Sequence, residues 1–209
     1  MRARPLALAA TTITLTMLLA ACGSSTQTST QTTGSSAGAS TTASTSLAPG
    51  SASDIAFAQL MIPHHEQAVQ MADLAEKFAS STKVKAIAAQ IKSAQTPEIE
   101  RMTTWLTTWG QPTTMPSSSD GSMGGMDMGG MGADSGMMSD TDINALTQAR
   151  GPAFDRTWLL MMIAHHQSAI SMAQEVLATT TNPDVKNLAT TIQAGQATEV
   201  STMKQLLAG

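Results

Sequence analysis

Twelve residues, Met61-Ile62-Pro63-His64-His65-Glu66-Gln67-Ala68-Val69-Gln70-Met71-Ala72, return 101 positions later as Met162-Ile163-Ala164-His165-His166-Gln167-Ser168-Ala169-Ile170-Ser171-Met172-Ala173. The register then runs on without a gap: Asp54 aligns with Asp155, Val84 with Val185, Ile91 with Ile192, Gln95 with Gln196, Glu98 with Glu199 and Met102 with Met203. A repeat this long makes the chain a duplicated unit. Each copy, about 55 residues, is small alone, while the two together make a domain of ordinary size. All four histidines of the chain lie in the duplicated stretch, so whatever they do is done in duplicate.

From Asp54 to about Ala79 the apolar positions Phe57, Leu60, Met61, Ala68, Met71, Ala72, Ala75 and Phe78 recur at steps of three and four. That period predicts an amphipathic helix, with Ser53 or Asp54 able to cap its start. His64 falls near the middle of the stripe and His65 at its edge. Ser80-Ser81-Thr82 breaks the helix, and a second follows on the seam Val84, Ala88, Ile91, Gln95, Glu98, Met102, Trp105 and Trp109, a core-facing heptad pattern. The other copy breaks at Thr180-Thr181-Asn182-Pro183 and continues through Val185, Ala189, Ile192, Gln196, Glu199, Met203 and Leu206. Two helical hairpins, over residues 53–110 and 143–209, predict an all-α four-helix bundle.

Gln95 and Glu98 stand in that seam where apolar residues belong, and Gln196 and Glu199 repeat the anomaly. A buried carboxylate is costly unless it is paired or binds a metal. His64 lies 17 residues before the turn at Ser81 and Glu98 the same number after it; His165 and Glu199 flank Asn182 likewise. Antiparallel helices of equal rise place each histidine level with its glutamate, and Met61 with Met102, and Met162 with Met203, join the layer. The expected ligand set is therefore His64, His65, His165 and His166 with Met61, Met71, Met102, Met162, Met172 and Met203. Glu98 and Glu199 are supporting or alternative ligands. Methionines alone read more simply as adaptable core filler, and a histidine–glutamate pair as a buried hydrogen bond. Adjacent histidines at the core boundary of both copies have no such structural necessity. Pro63 and Pro97 fall inside predicted helices of the first copy only, where each removes a helical hydrogen bond and predicts a kink.

Arg2 and Arg4 precede an apolar run from Leu6 to Ala21, the pattern of a secretory signal peptide over residues 1–21. Sixteen residues are short of the ~20 a bilayer span needs, although an uncleaved anchor is the other reading. Leu19-Ala20-Ala21-Cys22 resembles a bacterial lipobox, which implies cleavage before Cys22 and a lipid on its sulfur; a free thiol is the alternative. Residues 22–52 are otherwise almost entirely Ser, Thr, Ala, Gly and Gln, a tether that cannot bury a core. Without Arg2 and Arg4 the chain keeps 9 basic against 15 acidic residues. That balance disfavours nucleic acid, which needs a basic face.

Between the hairpins, over residues 111–142, the helical period gives way to Gly, Ser, Asp, Pro and Met, as in a disordered linker. Met123, Met126, Met128 and Met131, with Met115, Met137 and Met138 around them, are expected in water and so have no packing role. Neutral, polarisable thioethers select Cu(I) and Ag(I) over Zn(II), Mg(II) or Ca(II). They have no proton to lose and form no disulfides, although they can become sulfoxides. Glycine spacers let the four sulfurs converge on one ion, in spacings that resemble the Met-x-x-Met motifs of exported copper-handling proteins.

The paired histidine stretches, with Gln95, Glu98 and Met102 and with Gln196, Glu199 and Met203, resemble the signature of the domain of unknown function 305 family. The resemblance covers about Ser53 to Trp109 and Ala153 to Leu207. It implies a ferritin-like fold and export, and, from some members, periplasmic copper binding linked to copper resistance. The expected protein is thus a lipid-anchored copper binder outside the cytoplasmic membrane, a buffer, resistance factor or donor to a copper-transfer partner. One rival is a ferritin-like oxidase built on His64, His165, Glu98 and Glu199. It lacks the Glu-x-x-His pairs of di-iron bundles, because Arg101 and Thr202 stand at those positions. The other is a metal-free interaction module of the cell envelope. No phosphate-cradling glycine loop and no nucleophile elbow is present.

Overall fold

Helix boundaries follow from caps that the sequence carries. Ser51 accepts a hydrogen bond from the Asp54 amide while the Asp54 carboxylate accepts from the Ser51 amide, a reciprocal box that starts α1 (Ala52–Phe78). The cap lies two residues ahead of Ser53 and three ahead of Asp54, the expected caps. Ser81 caps α2 (Thr82–Thr108). A second Ser–Asp box, Ser139 with Asp142, starts a short α3 (Asp140–Gln148). Gly151 turns the chain with φ of 60°, in the left-handed region that suits glycine, and α4 (Gly151–Thr179) follows with Pro152 in its first turn. Asn182 caps α5 (Pro183–Ala208). Helices α1 and α2 run on through Pro63 and Pro97.

The computed structural model describes residues 49–114 and 136–209. The expected signal peptide over 1–21, Cys22, nearly all of the tether 22–52, and Met115, Met123, Met126, Met128 and Met131 lie outside the described residues. Among the described residues no helix is long and apolar enough to cross a membrane.

The four long helices pack as the expected four-helix bundle of two hairpins, α1 with α2 and α4 with α5, with α1 against α4 and α2 against α5. Direction is set by long-range contacts. The Trp158 indole N–H donates to the Met71 carbonyl at 2.8 Å, and Phe78 meets Phe154 edge-on at 6.0 Å, so α1 and α4 run antiparallel. Asp155, at the start of α4, accepts from the backbone amides of Ser80 and Ser81, both at 2.9 Å, and from the Ser80 hydroxyl. One hairpin thereby holds the turn of the other.

The apolar interior falls into two clusters. One joins Ala68, Met71 and Ala75 to Val84, Ile91, Phe154, Trp158, Met162 and Met203, with Leu146 of α3 buried in it. The other joins Phe57, Met61, Met102, Trp105 and Leu106 to Ala169, Ala173, Leu188 and Ile192. Along every long helix the crossover between clusters falls at the polar seam residues: His64 and His65, Gln95, His165 and His166, and Gln196. A buried polar layer thus divides the core at mid-height.

The short helix α3 begins inside the segment expected to be structureless. Leu146 explains it, because its complete burial gives the helix an apolar anchor. The same docking brings in Met138, which packs on the first cluster and is not a water-exposed linker methionine. Its backbone is held twice by Gln67, whose amide donates to the Met138 carbonyl at 2.8 Å and accepts from the Met138 amide at 2.7 Å. The other end of the linker is tied by Gln59, which donates to the Pro112 carbonyl at 2.9 Å.

Candidate metal-binding layer

Consecutive residues on a helix project about 100° apart, so a His-His pair reaches two neighbours at one height. His64 on α1 faces α4, where its ring stacks on His165 with centroids 3.7 Å apart and planes tilted by 34°. His65 faces α2, where its Nε2 lies 2.8 Å from Glu98 Oε2. The second hairpin repeats the arrangement, His166 Nε2 lying 2.9 Å from Glu199 Oε2. The expected level of histidine and glutamate is therefore correct, but the partner is not. His65 and His166 meet the carboxylates, whereas His64 and His165 face the bundle axis and each other. Nor does His65 sit at the edge of the stripe: all four rings are buried, with exposures of 1% or less.

Burial of this layer is not matched by protein hydrogen bonds. Both ring nitrogens of His64 and His165, Nδ1 of His65 and His166, and both side-chain amide atoms of Gln95 and Gln196 have no protein partner. Each buried polar group left so costs about 1–3 kcal/mol. Natural cores keep such groups to a few, so their concentration in one layer works against stability and makes the layer the candidate site. Charge is suppressed there too. Burial, then the neighbouring imidazoles His65 and His166, push the His64 pKa down to about 3. Burial and the same cluster, His64 first, hold His165 well below its ordinary value. Both rings are thus neutral near pH 7 with lone pairs available, the state a metal requires.

Thioethers flank the layer on both sides. Met61 and Met102 are fully buried in one cluster, with half-buried Met172 against it. Met71, Met162 and Met203 are fully buried in the other. Met71 therefore lies with Met162 and Met203 of the second copy and not beside Met61 and Met102, because the antiparallel crossing carries the end of α1 over the start of α4. Among the described residues no three His, Cys, Asp or Glu side chains converge as a ready metal cage. Besides the imidazoles, the buried thioethers of the two flanking clusters are the other donors that the core offers a metal. Orphaned nitrogens beside buried thioethers fit a soft ion such as Cu(I). Met123, Met126, Met128 and Met131 cannot be placed, since they lie outside the described residues.

Sequence reasoning singled out Gln95 and Gln196 as anomalies without giving them a role, and it missed Gln67. No distinguishing signal for Gln67 existed: its counterpart in the repeat is Ser168, but Gln70 likewise faces Ser171 in the alignment of the two copies. Gly136 passes so close to Ser168 that an added Cβ would lie 2.1 Å from the Ser168 Cβ. The Gly136–Met138 segment is thus fitted across α1 and α4 beside the histidine layer. A groove of about 790 Å³ at one end of the bundle, lined by Ser81, Lys83, Asp155 and Arg156 among others, is remote from this chemistry, and Asp155 there is engaged in holding the turn.

The family described as Domain of unknown function (DUF305) matches residues 54–207. The crystal structure of a DUF305 fragment from Deinococcus radiodurans is similar, with TM-score 0.67 and 28% identity, covering 77% of this chain and 99% of that one. CopM in its Cu(II)-bound form gives TM-score 0.60 and 31% identity, over 74% of this chain and 95% of CopM. CopM in its Cu(I)-bound form gives 0.58 and 30%, over 73% and 94%, and it is also known in Ag-bound forms. No curated protein matches the chain.

Proposed function

The chain belongs to the DUF305 family, and on that footing we propose that it is an extracytoplasmic, lipid-anchored copper-binding protein that buffers Cu(I) or hands it on. The observation that carries the reading is the layer of four buried imidazoles whose nitrogens largely lack protein partners, set between buried thioethers. Copper is cargo here. His64, His65, His165 and His166 supply imidazole nitrogen; Met61, Met102 and Met172 on one side, and Met71, Met162 and Met203 on the other, supply sulfur. Met123, Met126, Met128 and Met131 of the linker capture the ion from solution. Mixed nitrogen and sulfur donors accept Cu(I) and Ag(I) readily and tolerate Cu(II). The CopM structures with Cu(I), Cu(II) and Ag support the same range of ions.

The reading is one of binding and transfer, not catalysis. Each glutamate is engaged by a histidine of its own hairpin, and the di-iron Glu-x-x-His spacing is missing. The place outside the cytoplasm and the anchor rest on Arg2, Arg4, the apolar run and Cys22. Competition titration of the full chain with Cu(I), and with Ag(I) as its redox-inert analogue, tests the proposal. Binding with a rise in melting temperature is expected, and a chain that stays empty with excess of both ions and melts unchanged refutes it.

A further inference from the structure

We infer that Glu98 and Glu199 are positioning residues: each holds its histidine in the Nε2–H tautomer and so presents Nδ1 of His65 and of His166 as a buried, unprotonated donor to a soft metal ion. The inference relies on the copper-binding reading for its ligand, but the tautomer is a property of the metal-free protein.

The two carboxylates keep 15% and 16% of their side-chain surface in water. A carboxylate carries no hydrogen and can only accept. The hydrogen shared with Glu98 at 2.8 Å, and with Glu199 at 2.9 Å, therefore belongs to the ring. In a neutral imidazole, Nε2–H leaves the lone pair on Nδ1, and that atom is buried without a protein partner in both histidines. The arrangement occurs twice, across the same 33-residue separation. Metal-binding histidines commonly donate their second nitrogen to a carboxylate, which fixes the tautomer and raises ligand basicity. His64 and His165 have no such partner on either nitrogen. The layer thus divides into two oriented rings and two adaptable ones.

Long-range proton–nitrogen correlation spectra of the full-length, 15N-labelled protein at neutral pH report which ring nitrogen of each histidine bears hydrogen. His65 and His166 are expected as Nε2–H in the metal-free protein, and diamagnetic Ag(I) should then shift their Nδ1 resonances away from the unprotonated range. Glu98→Gln with Glu199→Gln keeps a carbonyl acceptor and should retain both tautomer and silver affinity. Glu98→Ala with Glu199→Ala should scramble the tautomers and weaken silver binding by about 10–100-fold. An Nδ1–H or doubly protonated ring in the metal-free protein overturns the inference. So does a glutamine pair that loses as much affinity as the alanine pair, since the carboxylate is then itself a ligand. If silver perturbs His64, His165 or the methionine methyls but leaves Nδ1 of His65 and His166 unmoved, the inference falls and copper binding stands. If no histidine or methionine responds, the copper-binding reading falls and the ligand role goes with it.

Discussion

His64 and His165 occupy equivalent positions in the two repeats, and their imidazoles stack with centroids 3.7 Å apart. Equivalent residues of a duplicated fold meet only where the axis relating the copies passes, so this contact marks the pseudo-two-fold axis of the bundle. Each hairpin alone would leave its inward histidine facing water. Joined, they bury two neutral rings with no hydrogen-bond partner on any of the four nitrogens.

Replacing both rings by a residue of similar size, His64→Leu with His165→Leu, should remove a polar burial that nothing in the protein offsets. The metal-free protein is expected to gain about 1–3 kcal/mol, read by urea denaturation, while silver affinity drops by at least tenfold. A double variant that is less stable and binds silver as before would contradict the assignment.

The pH response has a definite sign. With the folded pKa of His64 depressed to about 3 and the unfolded value near 6.5, the unfolded chain binds the proton first as pH falls. Stability is then complete above about pH 6.5, declines between that value and about 3, and levels off below. At pH 5 the loss from His64 alone is about 2 kcal/mol relative to pH 7.5, and His165 acts in the same direction. Melting curves of the metal-free protein across this range provide the check. Silver bound at the layer should raise the whole curve but keep its slope between those values, because the unfolded chain still takes up the proton first.

Leucine in place of Met102 and Met203 separates sulfur chemistry from packing. The swap nearly conserves volume and should cost under about 1.5 kcal/mol at each site. If the thioethers bind copper, Cu(I) affinity falls by about tenfold or more while Cu(II) affinity changes less. Equal affinities in competition titrations would return both methionines to core filling.

Asp155→Ala should destabilise the bundle by about 1.5–3 kcal/mol, because two backbone amides and a hydroxyl of the α1–α2 turn lose a charged acceptor. Its repeat-mate Asp54 caps only its own helix, so Asp54→Ala should cost about 1 kcal/mol. Urea midpoints measured side by side test the ranking, and silver stoichiometry should be the same in both variants.

Cys22→Ala tests the anchor. The variant expressed in a bacterium that lipidates exported proteins should move from the membrane fraction to the soluble one, and an unchanged distribution would exclude lipid attachment at that sulfur.

Much of the bundle was legible because its signals are local or periodic. The stripes through Met61, Met71 and Ala75 and the seam through Val84, Ile91 and Met102 carry the helical repeat in the chain itself, and Ser81 and Asn182 mark the turns. The short helix α3 was hidden because nine residues with one buried leucine give almost no period, and its stability comes from docking Leu146 against a distant core. The different duties of Asp54 and Asp155 were hidden as well. Identical residues at matched positions find a turn in reach in one case and their own helix cap in the other.

The repeat, taken alone, determined the fold class, the two hairpins, and the height at which histidine and glutamate meet, since rise per residue is the same in every helix. Which histidine meets which partner was decided by the packed bundle. Azimuth depends on how α1 turns toward both α2 and α4 at once, and the close approach of His64 to His165 across 101 residues exists only after the two halves have closed on one another.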